Sequence, residues 1–233
     1  MSRGLDASLH LAFLMLAVVS WLLNRNRTLI REIQYIGWYL LVTFLFDSAA
    51  ILIMLNRYLA KLLVSNLFLY HVLVPIQFSL IMLIYNSVLQ NRTLKKLALA
   101  AIPVFAVLSL LFSLTLQPLN TYNSYAVLIK HSVAILFVLI YFYELLATTP
   151  FTTIYTKAIF WISIAFLLHS TFNILLEGFS NYLGTYSNSK YEIVFFLYSI
   201  SNYLLFLILA VGLFVSNFTK STGHASSLSK IPR

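Results

Sequence analysis

The chain contains no cysteine. That excludes disulfides, thiolate zinc sites, iron–sulfur clusters and cysteine nucleophiles. Charge is scarce as well. Only 9% of the 233 residues are Asp, Glu, Lys or Arg, against roughly 25% in soluble globular domains. A water-facing surface of normal polarity cannot be built from so few charges, so soluble two-layer folds are excluded.

What is present is apolar sequence in long blocks. Hydrophobic residues make up 61% of the chain. A helix of about 20 such residues matches a hydrocarbon core roughly 30 Å thick. The blocks predict seven spans, at 7–24, 31–55, 62–88, 96–117, 123–147, 157–179 and 193–217. The separators NRNRT, NRY, QNRTLKK, QPLNTYN and TTPFTT are short and polar, and SNYLGTYSNSKYE is longer. Short loops make sequential spans antiparallel neighbours in one bundle. The expected fold is therefore an all-α bundle of seven transmembrane helices. Residues 218–233 are polar, Ser-rich and basic, and read as a disordered tail. The first span reads as uncleaved. Asp6 dilutes the positive charge ahead of it, and no small-x-small site precedes Asn24-Arg25-Asn26-Arg27.

The formal charge of +9 does not point to nucleic acid, because the Lys and Arg sit in loops and the tail. If the N-terminus is outside, ten fall on the inner side: Arg25, Arg27, Arg31, Arg92, Lys95, Lys96, Lys157, Lys220, Lys230 and Arg233. Four fall outside: Arg3, Arg57, Lys61 and Lys190. The positive-inside rule then predicts N-out, C-in.

A faint internal repeat is also visible. IGWYLLVTFLFDSAAIL (36–52) aligns with IFWISIAFLLHSTFNIL (159–175), matching Trp38 to Trp161 and Asp47 to Ser170. LFLYH (67–71) aligns with FFLYS (195–199), matching Tyr70 to Tyr198. This predicts two parallel three-helix repeats joined by the fourth span, a 3+1+3 arrangement.

Ionisable residues inside a bilayer are costly and are usually functional. Placed by depth, nearly all of them fall in the outer half of the bundle. Asp47 lies two-thirds along the second span, while Tyr70 and His71 occupy the first third of the third span and Gln77 lies near its middle. Lys130 and His131 lie early in the fifth, His169 and Asn173 late in the sixth, and Asn202 in the first half of the seventh. His169, Asn173 and Glu177 fall at i, i+4 and i+8 and form one stripe. Such stripes turn inward because lipid cannot satisfy them. The expected object is an outward-facing polar pocket formed by Asp47, Tyr70, His71, Gln77, Lys130, His131, His169, Asn173 and Asn202, above a sealed apolar inner half. An alternative assembles His71, His131, His169 and Asp47 into a zinc site, and interhelical hydrogen bonding alone also accounts for such groups.

Several seven-helix chemistries lack their signatures. No HxxxH pair occurs, which ceramidase-like and adiponectin-receptor-like hydrolases carry on the last helix. The seventh span has no lysine for a retinal Schiff base, and DRY, CWxP and NPxxY are absent. The 3+1+3 pattern is similar to SWEET-type transporters, although prolines lie within only two spans and Pro75-Ile76-Gln77 stands in place of a PQ dipeptide.

The segment Tyr70-His71-Val72-Leu73-Val74-Pro75-Ile76-Gln77, the NSY at 123–125, the YFYEL at 141–145 and the sixth span together resemble a group of small seven-helix bacterial membrane proteins. The resemblance covers most of residues 30–215 and implies a bacterial inner-membrane location, without implying an activity. The expectation is a receptor-like or sensory protein, not an enzyme, with no cofactor. Its partners would be the lipid bilayer, a small-molecule ligand and a separate signalling protein at the cytoplasmic face, with no nucleic acid. A small-solute transporter and a zinc-dependent intramembrane hydrolase stand as alternatives.

Overall fold

A computed structural model describes residues 3–25, 30–60, 66–183 and 188–228, with side chains described over 5–23, 30–56, 66–177, 193–194 and 196–215. The basic residues Arg3, Arg25, Arg27, Arg57, Lys61, Lys190, Lys220, Lys230 and Arg233 fall outside the described side chains. The described residues form eight helices: α1 (Arg3–Arg25), α2 (Arg31–Ala60), α3 (Phe68–Val88), α4 (Arg92–Thr115), α5 (Ser124–Thr148), α6 (Phe151–Ile154), α7 (Ala158–Leu183) and α8 (Asn188–Leu228). All except the single-turn α6 are long and apolar enough to cross a membrane. The protein is a seven-helix membrane bundle. Its helices contact the lipid bilayer directly, which is why large side chains such as Leu45, Leu114 and Leu139 stay exposed.

Helix ends follow local chemistry. Asn91 caps α4, its side chain accepting from the N–H groups of Thr93 (2.8 Å) and Leu94 (3.4 Å). That cap starts α4 at Arg92, ahead of the predicted 96. Replacing Asn91 with alanine is expected to cost about 1 kcal/mol of stability, read as a lower thermal midpoint in detergent. Pro75 sits inside α3 without ending it, as membrane helices allow. The helix α8 continues to Leu228, past the predicted end of its span at 217. Elongating an existing helix needs no new nucleus, so helical backbone runs into the predicted tail.

Neighbouring helices pack in the cyclic order α1–α2–α3–α5–α7–α8, with α8 closing back on α1. Phe13 of α1 stacks on Tyr203 of α8 at 5.2 Å, and the Tyr203 hydroxyl donates to Asp6. The helix α4 is set apart, contacting α3 and α5 where these two also touch each other. Its buried residues Ala98, Phe105 and Ser109 form one stripe, and Phe105 stacks on Phe78 of α3 at 4.0 Å. Exchanging α1, α2 and α3 with α5, α7 and α8 maps these six-helix contacts onto themselves, the arrangement a three-helix repeat generates.

Lipid tails are as apolar as leucine, so helix association here depends on van der Waals packing and interhelical hydrogen bonds. The middle of the bundle is filled by buried apolar side chains, among them Leu14, Leu40, Phe78, Met82, Val138, Ile162, Phe166 and Leu209. Tyr39 of α2 meets Phe166 of α7 edge-on at 5.4 Å, a pair worth about 1 kcal/mol beyond its buried area. This apolar layer separates two polar regions. One lies toward the starts of α3 and α5. The other lies at the basic face, where α2, α4 and α7 begin with Arg31, Arg92 and Lys157 nearby.

Candidate functional site

Lys130 on α5 is the charged residue at the centre of the first polar region, and it is only 6% exposed. Its ammonium donates to Gln77 Oε1 of α3 at 3.0 Å, and Gln77 Nε2 donates to Thr43 Oγ1 of α2 at 3.0 Å. Three helices are joined by this relay. An ammonium has three donors, yet among the described residues only the neutral Gln77 oxygen accepts from it. Asp47 and Glu177 are near enough to act on Lys130 electrostatically, but neither is in ion-pair contact with it.

Asp47 pairs instead with His10 of α1, Oδ2 to Nε2 at 2.8 Å. Sequence reasoning missed His10, although it is a histidine well inside the first span. On α5, His131 Nδ1 shares a hydrogen bond of 3.1 Å with Ser170 of α7. Ser170 is the residue that the repeat aligns with Asp47. The α1–α2 and α5–α7 contacts therefore each join a histidine to a repeat-matched residue, through Nε2 in His10 and Nδ1 in His131, and carrying the repeat into the first span reaches residue 8, two short of His10. His169 stands edge-on to His131, ring centroids 5.2 Å apart, and its Nδ1 lies 3.1 Å from Ser201 Oγ of α8. Asn173 donates to the His169 carbonyl at 2.7 Å and to Ser201 Oγ at 3.3 Å. Neither serine–histidine pair has a carboxylate in contact to orient its imidazole, among the described residues, so the third member of a nucleophilic triad is missing.

Nearer the membrane surface, Glu177 is faced by the hydroxyls of Tyr122 and Tyr198. Asn123, just before α5, is fully buried, and both atoms of its amide lack a hydrogen-bond partner. It precedes Lys130 by seven residues and so lies on the same face of α5. Tyr70 is half-buried on α3, close enough to feel Asp47. Asn202 is half-buried on α8, and its side chain makes no hydrogen bond among the described residues.

The structure thus brings Asp47, Gln77, Lys130, His131, His169 and Asn173 into one buried region, but it corrects the placement of His71. Its Nδ1 bonds Ser113 of α4 at 2.7 Å and its Nε2 bonds the Thr121 carbonyl at 3.0 Å. It fastens the outlying α4 and does not line the same site as Lys130. The zinc alternative fails on the same geometry. With His71 turned to α4 and Asp47 paired to His10, the four ligands do not converge, and no group of three or more His, Asp or Glu suited to a metal occurs among the described residues.

The expected sealed inner half is also corrected. A cavity of about 440 Å³ opens among the helix ends at the basic face, lined in part by Glu32, Ser87, Tyr141, Glu144, Thr149 and Lys157. Loop charge placed Lys157 on this inner side. The packed helices leave space between them there.

Compared with known protein families, curated proteins and solved structures, the chain matches none.

Proposed function

We propose that this protein is a receptor-like, sensory membrane protein that takes a small anionic ligand at Lys130 and passes the change to a separate partner at its basic face. On this reading the chain is oriented N-out, C-in in a bacterial inner membrane. The observation that carries the proposal is the Lys130 ammonium, buried between α2, α3 and α5 with a neutral amide as its hydrogen-bond partner. A desolvated cation without a contacting counter-ion is costly. A carboxylate or similar anion would supply the missing charge and the missing acceptors. The unpartnered amide of Asn123 gives the same face of α5 a further donor and acceptor. A ligand there would touch helices of both repeats and bias how they pack.

The test is thermal unfolding of the purified chain in lipid nanodiscs against a panel of mono- and dicarboxylates. A true ligand at 100 times its Kd raises stability by about 2.7 kcal/mol. That rise is expected to vanish in Lys130→Met and in Gln77→Glu, where a built-in carboxylate takes the place of the ligand. A rise of equal size in Lys130→Met would sink the proposal.

Transport is the second reading, and the cavity at the basic face favours it. A polar region on one side of an apolar layer and a cavity on the other is what a carrier open to one side presents. Flux of the ligand anion into proteoliposomes distinguishes the two, since a sensor binds without net uptake.

A further inference from the structure

We infer that the cavity at the basic face is a binding site for a primary ammonium group, either the head group of an ethanolamine phospholipid or a free aminoalcohol. Nothing in the Lys130 proposal requires this site, and the apolar layer separates the two. The volume of about 440 Å³ falls within the range of small-molecule pockets, roughly 300–1,000 Å³.

Two groups in its wall have polar capacity that the protein leaves open. The Tyr141 hydroxyl is buried and has no hydrogen-bond partner. Glu32, in the first turn of α2, accepts from its own backbone N–H but makes no ion pair and no side-chain hydrogen bond to another residue among the described residues, and it acts on Tyr141 electrostatically. The other polar groups are engaged. Glu144 accepts from the backbone N–H groups of Gln90 (2.6 Å) and Asn91 (3.1 Å), holding the α3–α4 turn. Ser87 donates to the Ile84 carbonyl at 2.7 Å, which leaves its oxygen free to accept. At the rim, Lys157 donates to Thr149 Oγ1 at 2.9 Å and keeps two donors over.

An alkylammonium matches this wall. Its three N–H groups meet the Glu32 carboxylate and the Tyr141 and Ser87 oxygens, and the Tyr141 proton turns to an oxygen of the ligand. One free carboxylate is too few for a divalent cation, which takes six or more oxygen ligands. Tyr141 lies seven residues before Thr148 at the end of α5, so the cavity reaches about 10 Å into the bundle. Its mouth is at the helix ends, where head groups lie. Inside the cavity the free charge is negative, and at the rim it is Lys157. That order suits an ethanolamine head group entering ammonium first, with its phosphate left at the rim.

The experiment is native mass spectrometry of the purified full chain in micelles supplied with phosphatidylethanolamine, phosphatidylcholine or phosphatidylglycerol. Calorimetric titration with ethanolamine runs in parallel. Phosphatidylethanolamine is expected to be retained about tenfold over phosphatidylcholine, whose trimethylated nitrogen donates no hydrogen bond. Glu32→Gln should erase that preference and Tyr141→Phe should reduce it severalfold. Tyr141→Phe removes one unpartnered oxygen, so the unliganded variant should melt at or above the wild-type temperature, and it keeps the test decisive if Glu32→Gln fails to fold. Retention of the lipid with no ethanolamine heat assigns the site to the bilayer, and the reverse assigns it to a soluble amine. Equal retention of all three lipids with no ethanolamine heat, a preference for phosphatidylglycerol, or a preference unchanged by both substitutions overturns the inference.

Discussion

Replacing Gly37 with alanine is expected to lower the thermal midpoint of the purified chain sharply, by the equivalent of about 3 kcal/mol, the upper end of the usual cost of overpacking. A Cβ at this position of α2 would stand 1.8 Å from Trp21 Cε2 and 2.1 Å from Nε1. The indole is buried in the core beside Ala17 and Ile36, so it cannot move aside without opening the α1–α2 contact. Small residues at helix crossings are what allow membrane helices to approach closely. Gly212→Ala should cost less, since the added atom lies 2.8 Å from Trp161 Cβ and a small shift of α7 against α8 relieves it. The measurement is circular dichroism melting in detergent, extended to a double-mutant cycle with Trp21→Ala. The cost of the alanine at 37 should largely disappear once the indole is gone. A Gly37→Ala protein that melts with the wild type would show that α1 and α2 do not cross here.

Gln77→Leu is expected to destabilise the bundle by about 2–3 kcal/mol, because it leaves a buried ammonium with no acceptor. The glutamine is the link through which Lys130 of α5 and Thr43 of α2 are joined, at 3.0 Å on each side. Leucine matches its bulk but offers neither acceptor nor donor. Gln77→Glu should behave oppositely. It places a carboxylate where Oε1 now accepts from Lys130, and it should melt at or above the wild-type temperature at neutral pH. Comparing the two variants separates the loss of an acceptor from the loss of packing. Equal destabilisation by both would mean that α3 tolerates only the amide shape, and that Lys130 does not depend on this oxygen.

Much of the site was legible in the sequence, and the parts that were not share a cause. Lys130, His131, His169, Asn173, Asp47 and Gln77 were expected to turn inward because hydrocarbon cannot satisfy them, and all six are buried. His71 met the same criterion and is also buried. Its depth and helical phase do not tell which neighbour it faces, and that neighbour is α4. His10 went unremarked in an otherwise ordinary apolar span until its hydrogen bond with Asp47 showed its place. The cavity was hidden for a related reason. Glu32, Tyr141, Glu144 and Lys157 are far apart in sequence and lie on α2, α5 and the start of α7, so only the packing of helix ends makes them one wall.

The sequence by itself determined that this chain forms seven helices long and apolar enough to span a membrane, and that its ionisable groups cluster by depth. Those properties follow from bilayer thickness and from the cost of burying charge, and both act on each segment separately. The tertiary structure decided the lateral order of the helices and the exclusion of α4 from the six-helix ring. It also decided the pairing of Asp47 with His10 in place of Lys130, and the opening at the basic face. Those depend on how each helix is rotated and which others it touches, and every helix that hides its polar stripe from lipid satisfies the one-dimensional pattern equally well.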